Sequence, residues 1–264
     1  MKLTPENYYS QEANEYYMSV SQYKDFLKCE AAALAKLKGK YKDIKREALL
    51  LGSYVHTALE SEEAFEQFRN ATPELYTAKK ELKAPYRMAN NMIDSILSDD
   101  LCNIVLEGDK EVILTAELFG IPWKAKLDVL NRETGRFTDI KTVKGIREKY
   151  WNGHKYVSFI QHYQYDVQMA IYAEIERLSG EENPEYLEPT LLAVSKEEVP
   201  DKEIIWFDSD LIQEKLHEVS VNIGRVIAVK RGEEAPTGCG KCDYCKAHKK
   251  LDGMTYYLDL LEAI

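Results

Sequence analysis

The sequence predicts an α/β fold in which helices flank a small central mixed sheet. Two observations carry this prediction. Apolar residues recur at helical spacing through the first 100 residues and again toward the C-terminus, while the centre holds short, branched-rich, turn-bounded runs. The 264 residues are 45% apolar and 30% charged, enough to enclose a core without disulfide or metal staples. Thirteen Gly and eight Pro exclude a low-complexity or collagen-like chain. The expected organisation is a single unit over 1–264. It comprises a helical part at 1–100, a core at 101–180, and a strand–helix and cysteine-bearing element at 181–264.

Each element has a local reason. Ser19 to Ser21 offers an N-cap, followed by Tyr23, Phe26 and Leu27 at i, i+3 and i+4. A second helical pattern covers 47–69, with Leu50, Leu51, Tyr54, Val55, Ala58 and Leu59 on one side. Pro73 and Pro85 bracket a connection, and 86–97 repeats the helical spacing through Met88, Met92, Ile93 and Ile96. Strands are expected at 111–114, 123–130 and 137–143, the last two joined by the hairpin-type connection 131–135. A long helix follows at 160–178. Strands at 191–195 and 204–207 flank the Pro200–Asp201 turn, and an amphipathic helix covers 211–229.

Composition excludes several classes of function. No run of about 18 apolar residues exists, so no membrane-spanning helix is expected. Residues 1–7 lack the apolar stretch of a signal peptide, which makes the cytoplasm the expected compartment. A net charge of −10 and a pI near 5.2 argue against wrapping a polyanion with the whole surface. They leave room for a local basic channel and for a carboxylate-rich metal site.

The most informative stretch is 126–142. On a strand, Asp139 and Lys141 stand two apart on one face while Ile140 points into the core, and Asp128 lies on the neighbouring hairpin strand. Two converging carboxylates beside a lysine can hold Mg²⁺ or Mn²⁺ with a water next to it. In that arrangement Lys141 positions the water or offsets charge developing on a phosphoryl group. Such a tripeptide also occurs as a solvated salt bridge. Its company decides the matter: Gly52 and His56 stand one helical turn apart upstream, a small residue leaving room beside an imidazole ligand. Downstream, Tyr165, Gln168 and Tyr172 line one helix face at i, i+3 and i+7.

The order Gly52-x-x-x-His56, then Asp128, then Asp139-Ile140-Lys141, then Gln168-x-x-x-Tyr172 resembles the RecB-like branch of the PD-(D/E)XK nucleases. Within it, the chain looks like the phage-type recombination exonucleases, the exonuclease VIII (RecE-type) and lambda exonuclease group. The likeness extends from about residue 19 to 250. It implies a restriction-endonuclease-like core. It also implies His56, Asp128, Asp139 and the Ile140 backbone carbonyl as metal ligands and Lys141 as the catalytic lysine. Gln168 and Tyr172 then shape the catalytic site and touch the DNA end. The family's usual Pro before the first acid is Leu127 here, a departure that leaves ligation intact. A further acid is often present before the hairpin in this family; Glu111 is the first candidate and Glu117 the second.

Three of the five cysteines, Cys239, Cys242 and Cys245, form a C-x₂-C-x₂-C run whose thiolates can cap one metal centre and leave a fourth position open. Cys29 follows a segment that resembles the one before the first cysteine of iron–sulfur RecB-like nucleases. That resemblance implies one N-terminal and three C-terminal cysteines around a [4Fe–4S] cluster. Zn²⁺ on the same four thiolates, or no metal, are the alternatives. Cys102 has no partner pattern and reads as structural.

An acidic protein acting on DNA must concentrate positive charge. Lys144, Arg147, Lys149 and Lys155 follow the acidic strand, interleaved with Tyr150, Trp151 and Tyr156, a mixture that suits an unpaired strand, and Tyr165 lies beyond. The run 36–46 and Lys246, Lys249 and Lys250 are outer basic groups that also fit ordinary solvated faces. The resemblance implies a Mg²⁺-dependent exonuclease resecting linear double-stranded DNA 5′→3′. It further implies a homo-oligomeric ring, trimer or tetramer, and a single-strand annealing partner in recombination. Three other readings stay open: an iron–sulfur nuclease of the helicase–nuclease or CRISPR-adaptation kind, a non-catalytic module that binds DNA ends, and a zinc module with a structural acidic core.

Overall fold

The strands form where β-branched and aromatic residues cluster, and the sheet they build places the site. A computed structural model describes residues 1–42, 47–180, 185–251 and 253–258. The first part is helical: α1 (Gln11–Tyr16), α2 (Val20–Lys28), α3 (Glu30–Leu37), α4 (Glu47–Glu60), α5 (Glu62–Ala71), α6 (Ala84–Leu97) and α7 (Asp100–Val105). Then come β1 (Asp109–Leu118), β2 (Ile121–Asn131) and β3 (Arg136–Val143), a small hairpin of β4 (Tyr150–Trp151) and β5 (Tyr156–Val157), and helices α8 (Phe159–His162) and α9 (Tyr165–Ser179). Strands β6 (Glu188–Ser195) and β7 (Lys202–Trp206) and helices α10 (Ser209–Arg231) and α11 (Asp243–Ala247) complete the described chain.

The sheet order is β1-β2-β3-β6-β7; β3 and β6 run parallel and the other pairs antiparallel. This is the mixed sheet flanked by helices that the sequence predicts. The strands feed two cores, one on each face of the sheet. Trp123, Leu127, Phe137 and Leu191 face α2, α9 and α10, while Val129, Ile140, Leu192 and Val194 face α4, α6 and α7. Helices α4 and α9 therefore lie on opposite faces of the sheet.

Two predicted helices are each broken in two. The pattern at 47–69 is interrupted at Ser61, whose extended backbone starts α5 and whose Oγ accepts the Ala64 N–H at 3.1 Å. The pattern at 160–178 is interrupted at Gln164, which is left-handed at φ 53° and redirects the chain into α9. Ser19 caps α2 as expected, its Oγ accepting from Gln22 N–H at 3.3 Å. Leu27, expected on the apolar face with Tyr23 and Phe26, is instead exposed. Helix α2 is held from α10 by Lys230, whose ammonium donates to Asn14 O, Tyr17 O and Gln22 Oε1 at 2.9, 2.6 and 2.9 Å. Among the described residues no helix is long and apolar enough to cross a membrane.

Candidate active site

The site opens where β2 and β3 separate. Their pairing runs from Asn131↔Arg136 to Val129↔Thr138 and stops, whereas β3 stays paired with β6 along its whole length. Beyond the fork, the Asp128 side chain takes the place of a strand partner: its Oδ2 accepts the Ile140 N–H at 2.7 Å. The backbone amide of Ile140 is thus engaged by the Asp128 carboxylate. Asp139 and Lys141 share the face expected of them and form an ion pair.

Helix α4 approaches the fork from one face. His56 Nδ1 stands 3.5 Å from Asp128 Oδ2, and Glu111 joins them: His56, Glu111 and Asp128 each offer a ligand atom, all within 4.8 Å of one another. Glu111 lies on β1 opposite Asp128, between the pairs Lys110↔Val129 and Val112↔Leu127, yet it has left the ladder at φ 54°. A left-handed glutamate within a strand is a strained feature of the kind that accumulates at functional sites. Its carboxylate is ion-paired with Lys126. Glu117, the second candidate, is exposed near the β1–β2 turn and takes no part. Gly52 lines the same cleft, but a methyl there meets Thr142 Oγ1 at 3.6 Å, an ordinary contact, so its smallness is not what admits the imidazole.

These residues fit a hard divalent cation. Two facing carboxylates on adjacent strands repel one another unless a cation lies between them. The buried Asp139 Oδ2 faces the Lys141 ammonium and, among the described residues, no other partner, which leaves a lone pair for a cation. An imidazole beside carboxylates suits Mn²⁺ as well as Mg²⁺. The electrostatics are already polarised. Burial pushes the Asp128 carboxyl up, but the imidazole of His56, the Lys141 ammonium and the Ile140 N–H overcome it and hold it at about 2. Burial wins at Asp139, whose carboxyl is raised despite Lys141. At Lys141 burial is outweighed by the Asp139 and Asp128 carboxylates, so the side chain is held as ammonium.

Helix α9 closes the other face. Gln168 Nε2 donates to Asp139 Oδ1 at 2.8 Å, and Tyr165 and Tyr172 line the cleft with it, as the i, i+3, i+7 stripe predicts. Burial raises the Tyr172 hydroxyl well above the usual phenol range, so it stays a neutral donor. Two further residues were not anticipated. Lys24 on α2 donates to Gln168 Oε1 at 3.4 Å and Tyr163 O at 3.0 Å, and both Lys24 and Lys141 lie over the Tyr165 ring at 5.3 Å. Burial, then the nearby Lys141 charge, push the Lys24 ammonium down to about 7. Glu60 lines the same cleft; burial and the Glu111 carboxylate raise it. Its position four residues after His56, on the same face of α4, is a signal the sequence carried. The cleft measures about 890 Å³.

The proposed nucleic-acid contacts divide into three kinds. Lys144 lines the cleft but pairs with Glu148 at 2.7 Å, and Arg147 pairs with Glu203 at 2.5 Å, so neither offers its full charge. Lys149 and Lys155 are exposed, and Trp151 and Tyr156 stand exposed across the β4–β5 hairpin with ring centroids 5.3 Å apart. Of the outer groups, Lys36 pairs with Asp25, and Lys246, Lys249 and Lys250 are exposed; Lys45 and Arg46 lie outside the described residues.

Away from the fork, Cys29 meets the C-terminal triplet. Cys29 Sγ lies 3.5 Å from Cys245 Sγ and 3.7 Å from Cys242 Sγ, and the sulfurs of Cys29, Cys239, Cys242 and Cys245 all fall within 4.8 Å of one another. Cys102 is buried against α6 and the sheet, apart from this group.

Residues 19–248 match a family model described as "PDDEXK-like domain of unknown function (DUF3799)". A crystal structure from Eubacterium rectale, of a protein titled "Putative exonuclease", is 38% identical over 100% of both chains, with a TM-score of 0.93. A second solved structure, SSO0001, is 17% identical over 80% of this chain and 90% of that one, with a TM-score of 0.27 that carries no argument. No curated protein matches the chain. With the acidic fork, its lysine and a family match across most of its length, the chain is a nuclease of the PD-(D/E)XK superfamily and belongs to the PDDEXK-like family DUF3799.

Proposed function

We propose that this nuclease is a divalent-metal-dependent exonuclease that resects linear double-stranded DNA 5′→3′, leaving 3′ overhangs for a single-strand annealing partner in phage-type recombination. The observation that carries the hydrolytic reading is the convergence of His56, Glu111, Asp128 and Asp139 with Lys141 in one cleft. Exonuclease action is supported by the name of the Eubacterium rectale relative. Polarity, the ring assembly and the annealing partner rest on the likeness of the motif order to the phage-type enzymes.

His56, Glu111, Asp128 and Asp139 are the residues that would hold Mg²⁺ or Mn²⁺. A cation bound there supplies Lewis-acid polarisation of the phosphodiester and acidifies a water. The chain's own groups do the rest. Lys141, held as ammonium, donates to the attacking water or to the phosphoryl oxygen on which charge gathers. Gln168 fixes the rotation of Asp139, and Lys24, in the same cleft, fixes Gln168. The exposed Trp151 and Tyr156 offer stacking surfaces for a frayed strand.

Digestion of duplex DNA labelled at the 5′ or the 3′ end, with Mg²⁺ or with EDTA and beside a circular duplex, tests the reading. Early metal-dependent release of the 5′ label with circles spared is the expected result. Cutting of circles makes the protein an endonuclease, and no metal-dependent cleavage leaves a DNA-binding module.

Lys24 gives the reading a pH signature. Its ammonium is lost from the free protein above about pH 7, while the negative charge of DNA entering the cleft that Lys24 lines favours the charged form, so binding takes up a proton. Affinity for a DNA end, measured in EDTA, should weaken by up to about tenfold from pH 7 to pH 8. Lys24→Arg, which stays charged, should remove that slope and keep the affinity. An unchanged slope in Lys24→Arg places the titrating group elsewhere.

A further inference from the structure

The four cysteines carry an inference independent of the nuclease chemistry. We propose that Cys29, Cys239, Cys242 and Cys245 hold a single zinc ion that fastens the C-terminal segment to the joint between α2 and α3. The arrangement of the sulfurs decides between the metals the sequence leaves open. Thiolates placed tetrahedrally about 2.3 Å from one zinc stand about 3.8 Å from each other. Here the contacts from Cys29 are 3.5 and 3.7 Å, and no pair of ligand sulfurs exceeds 4.8 Å. In a [4Fe–4S] cluster each thiolate ends on a different iron, so the sulfurs surround a cube of irons and sulfides and cannot touch one another. Four sulfurs all within 4.8 Å of one another leave no volume for that cube. The same residues therefore do not fit the cluster that the family resemblance implies. A disulfide is no better, because a bonded pair stands about 2.05 Å apart and Cys29 is shared between two candidates.

The surroundings are built to present thiolates at this spacing. The backbone N–H of Cys239 donates to Cys29 Sγ at 3.4 Å, that of Cys242 to Cys239 Sγ at 3.3 Å and that of Cys245 to Cys242 Sγ at 3.4 Å. The approach of the segment does not depend on the sulfurs alone. Glu30, next to Cys29, accepts two hydrogen bonds from Arg225 on α10, each 2.8 Å, and the Thr237 N–H at 2.7 Å. Ala31 N–H donates to Thr237 O at 3.2 Å. With the strap already docked, the triplet arrives beside Cys29 with its ligands gathered. Cys29 ends α2 and begins α3, so the ion fixes the end of the helix that carries Lys24.

The test is the metal content and colour of the full-length protein purified anaerobically. About one zinc per chain, no visible absorption, and the intense visible bands of a tetrahedral tetrathiolate after cobalt(II) replacement are expected. Cys239→Ser, at the most exposed ligand, should lose the zinc, while Cys102→Ser should retain it. Should Cys239→Ser fail to fold, mercurial titration of the wild type must release zinc in step with four thiols. Brown protein carrying iron and acid-labile sulfide would overturn the proposal. So would metal-free protein whose four thiols react freely with a mercurial.

Discussion

Asp139→Ala should lower the cleavage rate by about 10³-fold or more while DNA binding is kept, because it removes the buried carboxylate proposed to hold the metal and the ion-pair partner of Lys141. Asp139 is 2% exposed, and both its oxygens are committed, Oδ1 to Gln168 and Oδ2 to Lys141. Without it, Gln168 loses its acceptor and Lys141 answers to Asp128 alone. Lys141→Ala should lower the rate by about 10²–10³-fold, the usual effect of deleting one donor aimed at developing charge. The double variant should be little worse than Asp139→Ala, since the two residues act as one unit. Single-turnover digestion of saturating linear duplex reads the chemical step, and gel retardation in EDTA reads binding. Asp139→Asn keeps the shape and guards against misfolding as an explanation. Wild-type rates in either Asp139 variant would remove the acidic fork from the mechanism.

Trp123→Ala should destabilise the fold by about 3–5 kcal/mol. For a chain of this size that lowers Tm on the order of 10 °C. Trp123 is fully buried, donates from Nε1 to Leu118 O at 3.1 Å, and packs against Tyr23 and Phe119 with centroids 6.1 and 6.3 Å away. Its backbone also bridges to Met18 just before α2. Because Tyr23 precedes Lys24 and β2 carries Asp128, this ring sets the distance between the two halves of the cleft. Trp123→Phe retains the ring contact but drops the donor, and should fall between wild type and Trp123→Ala in a thermal melt. A melt of Trp123→Ala matching the wild type would mean that the joint between α2 and β2 is held by other contacts.

The hairpin carrying Asp128, Asp139 and Lys141 was legible because alternation on a strand is strict and a turn signal separated the two acids. Helix α9's polar stripe was legible for the same kind of reason, its spacing matching one face of a helix. What escaped the sequence was set by tertiary structure. The boundary at Ser61 and the left-handed Gln164 turn on caps and single backbone angles, which apolar periodicity does not register. Lys24 reaches Gln168 across 144 residues, a meeting that no local pattern encodes. Leu27 fits the apolar spacing of α2 and yet meets solvent, because the stripe that α2 buries is narrower than the stripe it writes. The choice between zinc and an iron–sulfur cluster likewise depends on distances between sulfurs that lie 210 and more positions apart in the chain.

The parallel pairing of β3 with β6 bears on when activity can arise as the chain is made. His56, Asp128, Asp139 and Lys141 are all present once residue 141 has been synthesised, but β3 then has no neighbour on its far side and α9 has not yet packed. Gln168 must arrive to orient Asp139, and β6 must cross over and pair before β3 is fixed, a non-local step that is slow to form. Between residue 141 and the completion of β6 at residue 195, a nascent chain therefore carries these side chains as a latent set. A nuclease of this fold thus becomes competent only after β6 has joined the sheet, well after its acidic residues have been made.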